Sequence, residues 1–157
     1  MFAAAPHTEN RNQNGGGYVY KVNDIKGFTQ IHCWMLGGLN VMPTTGGIDP
    51  TLYEQWNSSF SHDTEVIKPG YKKVFLDRYQ TWVELTSTDR VALYRYRFTE
   101  TKSADILMVL EGAWVTSPWW GSMRRVDSRE IEGEFSAILR QWGGPGNVKV
   151  FFVIQFS

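Results

Sequence analysis

Thiol and imidazole groups are scarce in this chain: one cysteine and three histidines in 157 residues. A single thiol excludes an internal disulfide and any cysteine-based zinc cluster. With histidine limited to His7, His32 and His62, no HExxH helix, no CxxC pair and no Ser–His–Asp spacing is present. An excess of one charge is lacking too, because Lys plus Arg and Asp plus Glu stand at 16 each. Nucleic-acid binding and attachment to anionic membranes both draw on a basic excess, so neither is expected. No apolar run approaches the ~18 residues that span a bilayer as a helix. The start, MFAAAPHTENRNQNGGG, has no positive n-region before a hydrophobic stretch and does not read as a signal peptide. Helical patterning is missing as well. No segment keeps a capped 3.6-residue period for ten residues, and residues 136–142 allow one turn of helix at most. Gly143-Gly144-Pro145-Gly146 lacks the lysine and the strand–turn–helix setting of a phosphate loop, and reads as a turn.

What the chain does have is aromatic and β-forming. Aromatic residues make up 15%, with seven Trp. Tryptophan packs cores, but it also stacks on sugar rings, whose axial C–H faces are apolar. The 42% apolar content marks a globular chain, and the length suits one domain. Residues 1–17 read as a disordered or tail segment, dominated by Asn, Gln and Gly from Asn10 onward. From residue 18 to 157 the pattern is that of strands. GYVYKV alternates. IHCWML is a short apolar run between glycines, and NVMPTTGGIDP ends a strand at Pro43 and turns at Gly46 and Gly47.

YKKVFLD alternates. TWVELTST sets Val83 and Leu85 opposite Trp82, Glu84 and Thr86. RVALYRYRF sets Tyr94, Tyr96 and Phe98 opposite Leu93, Arg95 and Arg97. DILMVLEG is apolar enough to be buried on both faces. EIEGEFSAIL and VKVFFVIQF complete the series. Residues 52–70 form a long polar and aromatic connection of the kind that serves function or is covered by a partner. The fold class is therefore all-β, an antiparallel β-sandwich. Both ends read as cut. The first strand has no preceding partner, and the final FFVIQF run is aggregation-prone if its edge is open. The sandwich is expected to be incomplete, a piece of a larger two-sheet domain, with self-association through exposed sheet edges.

Several side chains are candidates for chemistry. In GFTQIHCWMLGG, alternation puts His32 and Trp34 on one face and Cys33 on the other. His32 would bond a hydroxyl and Trp34 would pack on a sugar ring; the simpler alternative is a buried strand, with Cys33 a small buried hydrophobe. Trp56, Trp114, Trp119 and Trp120 offer either a sugar platform or a plug for the sandwich end. His62, Asp63 and Glu65 could work as acid and base or bind a cation. Hydrolysis would require one carboxyl in an apolar site, and loop-anchoring hydrogen bonds are the plainer reading. Arg124-Arg125 reads as a solvated turn. Asn57-Ser58-Ser59 is a glycosylation sequon by pattern.

One resemblance joins these pieces. In order, Gly17-Tyr18, IKGFTQIH (25–32), VMPTTG (41–46), FSHDTE (60–65), Pro69-Gly70-Tyr71, ELTSTDRV (84–91), YRYRF (94–98), Ile131-Glu132-Gly133 and the end from Phe151 match a known pattern. Over roughly residues 17–157 the chain resembles the N-terminal β-sandwich domain of the glycoside hydrolase family 92 α-mannosidases. The resemblance implies calcium-dependent, exo-acting removal of α-linked mannose with inversion, in which an acid and a base stand far enough apart to admit water. It also implies that the acid, the base and most calcium ligands lie in a larger C-terminal helical-barrel domain, so no catalytic residue and no metal ligand is assigned in this chain. The family's opening strand, with its Pro-Gly-Ala and Pro-Phe-Gly elements, is not seen in the sequence.

What the resemblance assigns here is part of the mannose-pocket wall, with His32, Trp34, Trp119 and Trp120 as the substrate-binding candidates. The implied partners are a mannose-containing glycan and the C-terminal catalytic domain, and family members are usually secreted or periplasmic. A stand-alone carbohydrate-binding module is the alternative function, and an aromatic protein-docking module is a third.

Overall fold

Alternation of apolar and polar residues accounts for most of the structure, a computed structural model that describes residues 2–8, 17–31, 38–49, 51–52, 55–100, 103–111, 120–139 and 146–157. The strands are β1 (Phe2–His7), β2 (Asp24–Ile25), β3 (Gly27–Ile31), β4 (Gly38–Thr45), β5 (Ser58–Ser59), β6 (Val66–Lys68), β7 (Tyr71–Leu76), β8 (Thr81–Ser87), β9 (Ala92–Phe98), β10 (Ala104–Glu111), β11 (Trp120–Arg125), β12 (Glu130–Leu139) and β13 (Gly146–Gln155). All their pairings are antiparallel. They build two four-stranded sheets, β1-β3-β4-β10 and β6-β7-β8-β9, a three-stranded sheet β11-β12-β13, and the short β2-β5 pair. The all-β, antiparallel reading holds.

The meander β6–β9 shows why. Val74, Leu76, Val83 and Leu85 are buried at every second position, and the intervening side chains lie on the outer face. Its first turn uses Gly70 at φ 73, a backbone that an L side chain rarely adopts. The next turn ends on Gln80 at φ 48. There the Gln80 carbonyl accepts from Thr99 N at 3.0 Å and from Thr99 Oγ1 at 2.7 Å, which holds the strained residue in place. The inner face of this sheet packs on the first sheet. Phe28 is fully buried and meets Tyr94 edge-on at 6.2 Å. Ile25, Val41, Met42 and Phe60 extend the same core.

The structure corrects four expectations. Residues 2–7 are not a tail. They form β1, which pairs with β3, placing Pro6 opposite Phe28 and His7 opposite Gly27, and which lies against β8 and β9. Alanine and proline carry little strand propensity of their own. Here small side chains fit between the two sheets, and tertiary packing decides. β4 does not end at Pro43 but runs on to Thr45. Pro43 lies past the last pairing with β3 and is opposite Ile106 of β10, so its missing N–H falls where the strand has one neighbour, a place proline tolerates. β10 is not buried on both faces. It stands at the end of its sheet, and Ile106 to Leu110 are half-buried. Finally, residues 52–70 are not one long connection, since β5, a 3₁₀ turn at His62–Thr64 and β6 lie within them.

The third sheet meets the first through glycine. A Cβ on Gly121 would stand 2.8 Å from Leu110 Cδ1 of β10, and within the third sheet one on Gly133 would meet the ring of Phe152, its cross-strand partner. Leu110 and the Phe152 ring occupy the space where those side chains would sit.

Candidate functional site

The segment with the leading candidates joins β3 to β4. His32, Cys33 and Trp34 lie outside the described residues, as do Trp114 and Trp119. The two strands that flank this segment are described. Thr29 and Asn40 stand directly opposite each other, and both are buried. Thr44 follows on the same face of β4, since same-face residues recur every second position. Thr29 Oγ1, Asn40 Oδ1 and Thr44 Oγ1 have no hydrogen-bond partner. Buried polar atoms are nearly always paired, and each exception calls for a reason. Gly27 adds to the arrangement: the Asn40 amide fills the place of its missing side chain, 2.2 Å from where a Cβ would be. The result is a buried sheet face with free hydrogen-bonding atoms, of which Thr29 and Asn40 stand at the roots of the segment that carries His32 and Trp34, while Thr44 lies at the far end of β4.

A second cluster is complete in itself. Glu65 Oε2 accepts from Tyr18 Oη at 2.7 Å and lies 2.8 Å from His62 Nδ1, while Oε1 pairs with Lys72 Nζ at 2.7 Å. His62 Nε2 lies 2.8 Å from the Tyr20 carbonyl, and the Tyr20 ring stacks on His62 at 4.1 Å. Lys72 Nζ also sits 3.3 Å from the Tyr18 ring centroid, a cation–π contact. Burial alone would push the Glu65 carboxyl up. Lys72, Tyr18 and His62 together outweigh it and hold the group below the usual carboxylate range. Burial pulls Lys72 below the ordinary lysine range, with Glu65 opposing. Burial and the Glu65 hydrogen bond push the Tyr18 hydroxyl well up. A carboxylate whose partners are all inside the protein is set to anchor a loop, not to trade protons with a substrate. The anchoring reading of His62 and Glu65 is the one the geometry supports. Asp63 points elsewhere: it is exposed, and its N–H caps the 3₁₀ turn on Ser61 Oγ. Sequence reasoning missed Lys72 as the counter-ion. The signal was its place on the inward face of β7, where an unpaired ammonium would be costly.

The remaining candidates separate cleanly. Trp56 belongs to the core: its Nε1 donates to the Asp49 carbonyl at 3.3 Å, and its own carbonyl accepts from Tyr79 Oη at 2.7 Å. Trp120 is 52% exposed on β11, with Lys149 Nζ 5.6 Å from its ring centroid. It shares that open face with Phe151 and Val153, two further exposed apolar side chains. Arg124-Arg125 is a correction, since both residues lie in β11 and not in a turn, and Arg124 pairs with Glu132. The Asn57 side chain is committed inside the fold, donating to Asp24 Oδ2 at 2.8 Å, and Ser58 is buried. Among the described residues, no three His, Cys, Asp or Glu side chains gather to hold a metal ion. Glu65, Asp24 and Asp49 instead accept from Tyr18, Asn57 and Thr51, respectively. These residues do not fit a calcium ion.

Known proteins place the fold. The family described as "Glycosyl hydrolase family 92 N-terminal domain" matches residues 1–157, so the likeness begins at the first residue and not near residue 17. The chain is similar to the family GH92 α-mannosidase BT3965 of Bacteroides thetaiotaomicron, at 26% identity and a TM-score of 0.82, over 97% of this chain and 22% of that one. The same enzyme in complex with mannoimidazole matches at 26% identity and a TM-score of 0.82, over 97% of this chain and 21% of that one. The family GH92 inverting mannosidase BT2199 of Bacteroides thetaiotaomicron VPI-5482 shares the fold at 22% identity and a TM-score of 0.73, over 99% of this chain and 22% of that one. The chain thus spans about a fifth of the length of these enzymes. No curated protein matches. With a family match along all 157 residues and a sandwich that superposes on a mannosidase, the chain belongs to the glycosyl hydrolase family 92 N-terminal domain family.

Proposed function

We propose that these residues form the substrate-facing N-terminal part of an inverting, exo-acting α-mannosidase. They would wall a mannoside pocket whose acid and base, and most of whose calcium ligands, a C-terminal catalytic domain would supply. The observation that carries this reading is the match along the whole chain to the family 92 N-terminal domain, together with superposition on an enzyme that binds mannoimidazole. The orphaned polar atoms of Thr29 and Asn40 support it, because they lie on β3 and β4 two residues from the ends that flank the segment carrying His32 and Trp34. A hydroxyl-rich ring is bound by apolar stacking on one face and hydrogen bonds at its edge, which is what Trp34 and His32 would supply. In this role the chain contributes binding and the exclusion of water but moves no proton itself. The open face bearing Trp120 favours a second reading, a stand-alone carbohydrate-binding module with Trp34 and the Trp119 region as its platform, and also makes self-association through this sheet a proposal.

Amide shift mapping with methyl α-mannoside tests the choice. One wall of a pocket binds weakly, so shifts at 27–45 should still be growing at sugar concentrations on the order of 100 mM, and Trp34→Ala should abolish them. Saturable millimolar binding centred on Trp120 would favour the module. The absence of any shift at 27–45 would contradict the pocket-wall reading.

A further inference from the structure

The outer face of the β6–β9 sheet carries a charge imbalance that the whole protein does not. Register places Lys68 beside Tyr71, then Lys73–Glu84–Arg95 in one cross-strand row and Phe75–Trp82–Arg97 in the next. Four cations, Lys68, Lys73, Arg95 and Arg97, thus share the face with one carboxylate, Glu84, in a chain of net charge +0. Glu84 is already engaged, accepting from Tyr71 Oη at 2.8 Å and facing Arg95 Nη1 at 3.8 Å. Three aromatic rings lie among the cations. Trp82 contacts Phe75 at 5.0 Å, and Lys73 Nζ and Arg97 Cζ approach its ring centroid from the two flanking strands, at 4.4 and 6.0 Å. These contacts fix the positive groups over an apolar floor. With strands about 5 Å apart and same-face residues about 7 Å apart, the face is long enough for a short oligosaccharide.

We infer that this face binds an anionic glycan, its cations meeting carboxylate, sulfate or phosphate groups and its aromatic rings meeting the apolar faces of the sugars. The charge is local and interrupted by rings. Nucleic-acid binding draws on a domain-wide basic excess, and anionic membranes are read by Lys and Arg clusters on amphipathic helices or beside membrane-spanning ones, whereas these cations stand on a sheet. The inference does not rest on the mannose reading, because it involves other residues and requires a charged ligand.

The test is calorimetric titration of the 157-residue chain with polygalacturonate oligomers and with dextran sulfate, which separate carboxylate from sulfate recognition, against neutral mannan. Single-stranded polynucleotide and phosphatidylglycerol vesicles serve as other polyanions. Binding to at least one acidic glycan should weaken with salt and fall about tenfold or more in Lys73→Gln/Arg97→Gln, a loss of about 1.4 kcal/mol. The matched charge loss in Lys21→Gln/Arg129→Gln, at exposed residues away from this face, should leave it unchanged, and the mannoside shifts at 27–45 should persist in both variants. An equal loss in the two double variants, tighter binding to polynucleotide or vesicles, or no binding to either acidic glycan would overturn the inference. Both substituted residues are on the outer face, and a thermal melt within a few degrees of the parent confirms that folding is not what was lost.

Discussion

Glu65→Gln is expected to lower stability at neutral pH by on the order of 3 kcal/mol, because it removes the counter-ion of Lys72 and the charged acceptor of Tyr18 and His62. The pH dependence follows from the direction of the shift. The folded Glu65 carboxyl is held below its ordinary value. Its contribution is therefore present above the unfolded value of about 4.3 and is lost as pH falls through the folded value. Urea unfolding at pH 7, 5, 4 and 3 should show a gap between parent and variant that is widest at pH 7 and narrows with acid. A gap that does not change with pH would contradict the ionised clasp. Replacing both partners, in Glu65→Gln/Lys72→Met, should recover part of the loss, since an uncompensated buried charge costs more than its absence.

Gly27→Ala is the second large effect. At φ 149 this residue lies outside the backbone region open to alanine, and its new Cβ would stand 2.2 Å from Asn40 Oδ1 and 2.6 Å from Nδ2. Backbone strain and displacement of a buried amide together should cost about 3 kcal/mol. The two parts are separable. Asn40 Oδ1 has no partner to lose, so Asn40→Ala alone should be mild. In Gly27→Ala/Asn40→Ala the clash should vanish while the strain remains. A double variant no more stable than Gly27→Ala would show that the amide is not the obstacle.

Much of the fold was legible because it follows local rules. Val74, Val83 and Leu85 alternate with Phe75, Trp82 and Glu84 as a sheet with one wet face requires, and Gly70 marks its turn. β1 was not legible, because FAAAPH has no pattern of its own and becomes a strand only when the free edge of β3 accepts it. Pro43 misled for a related reason: proline excludes a ladder bond only where a neighbour needs one. At the site, His62 and Glu65 were visible as a motif, but their meaning lay in Tyr18 and Lys72, 47 and 7 residues away from Glu65 in the chain. A carboxylate in sequence says little about charge until its counter-ion is found in space. Family membership, by contrast, was readable from the order of several short motifs along the chain.

The most direct test of the whole account is mannose release from α-linked mannobiose by the purified 157-residue chain, with and without added calcium. A pocket wall without its acid and base predicts no release above the uncatalysed rate in either condition. Multiple turnovers by this chain alone, abolished by a substitution among its own carboxylates, would contradict it.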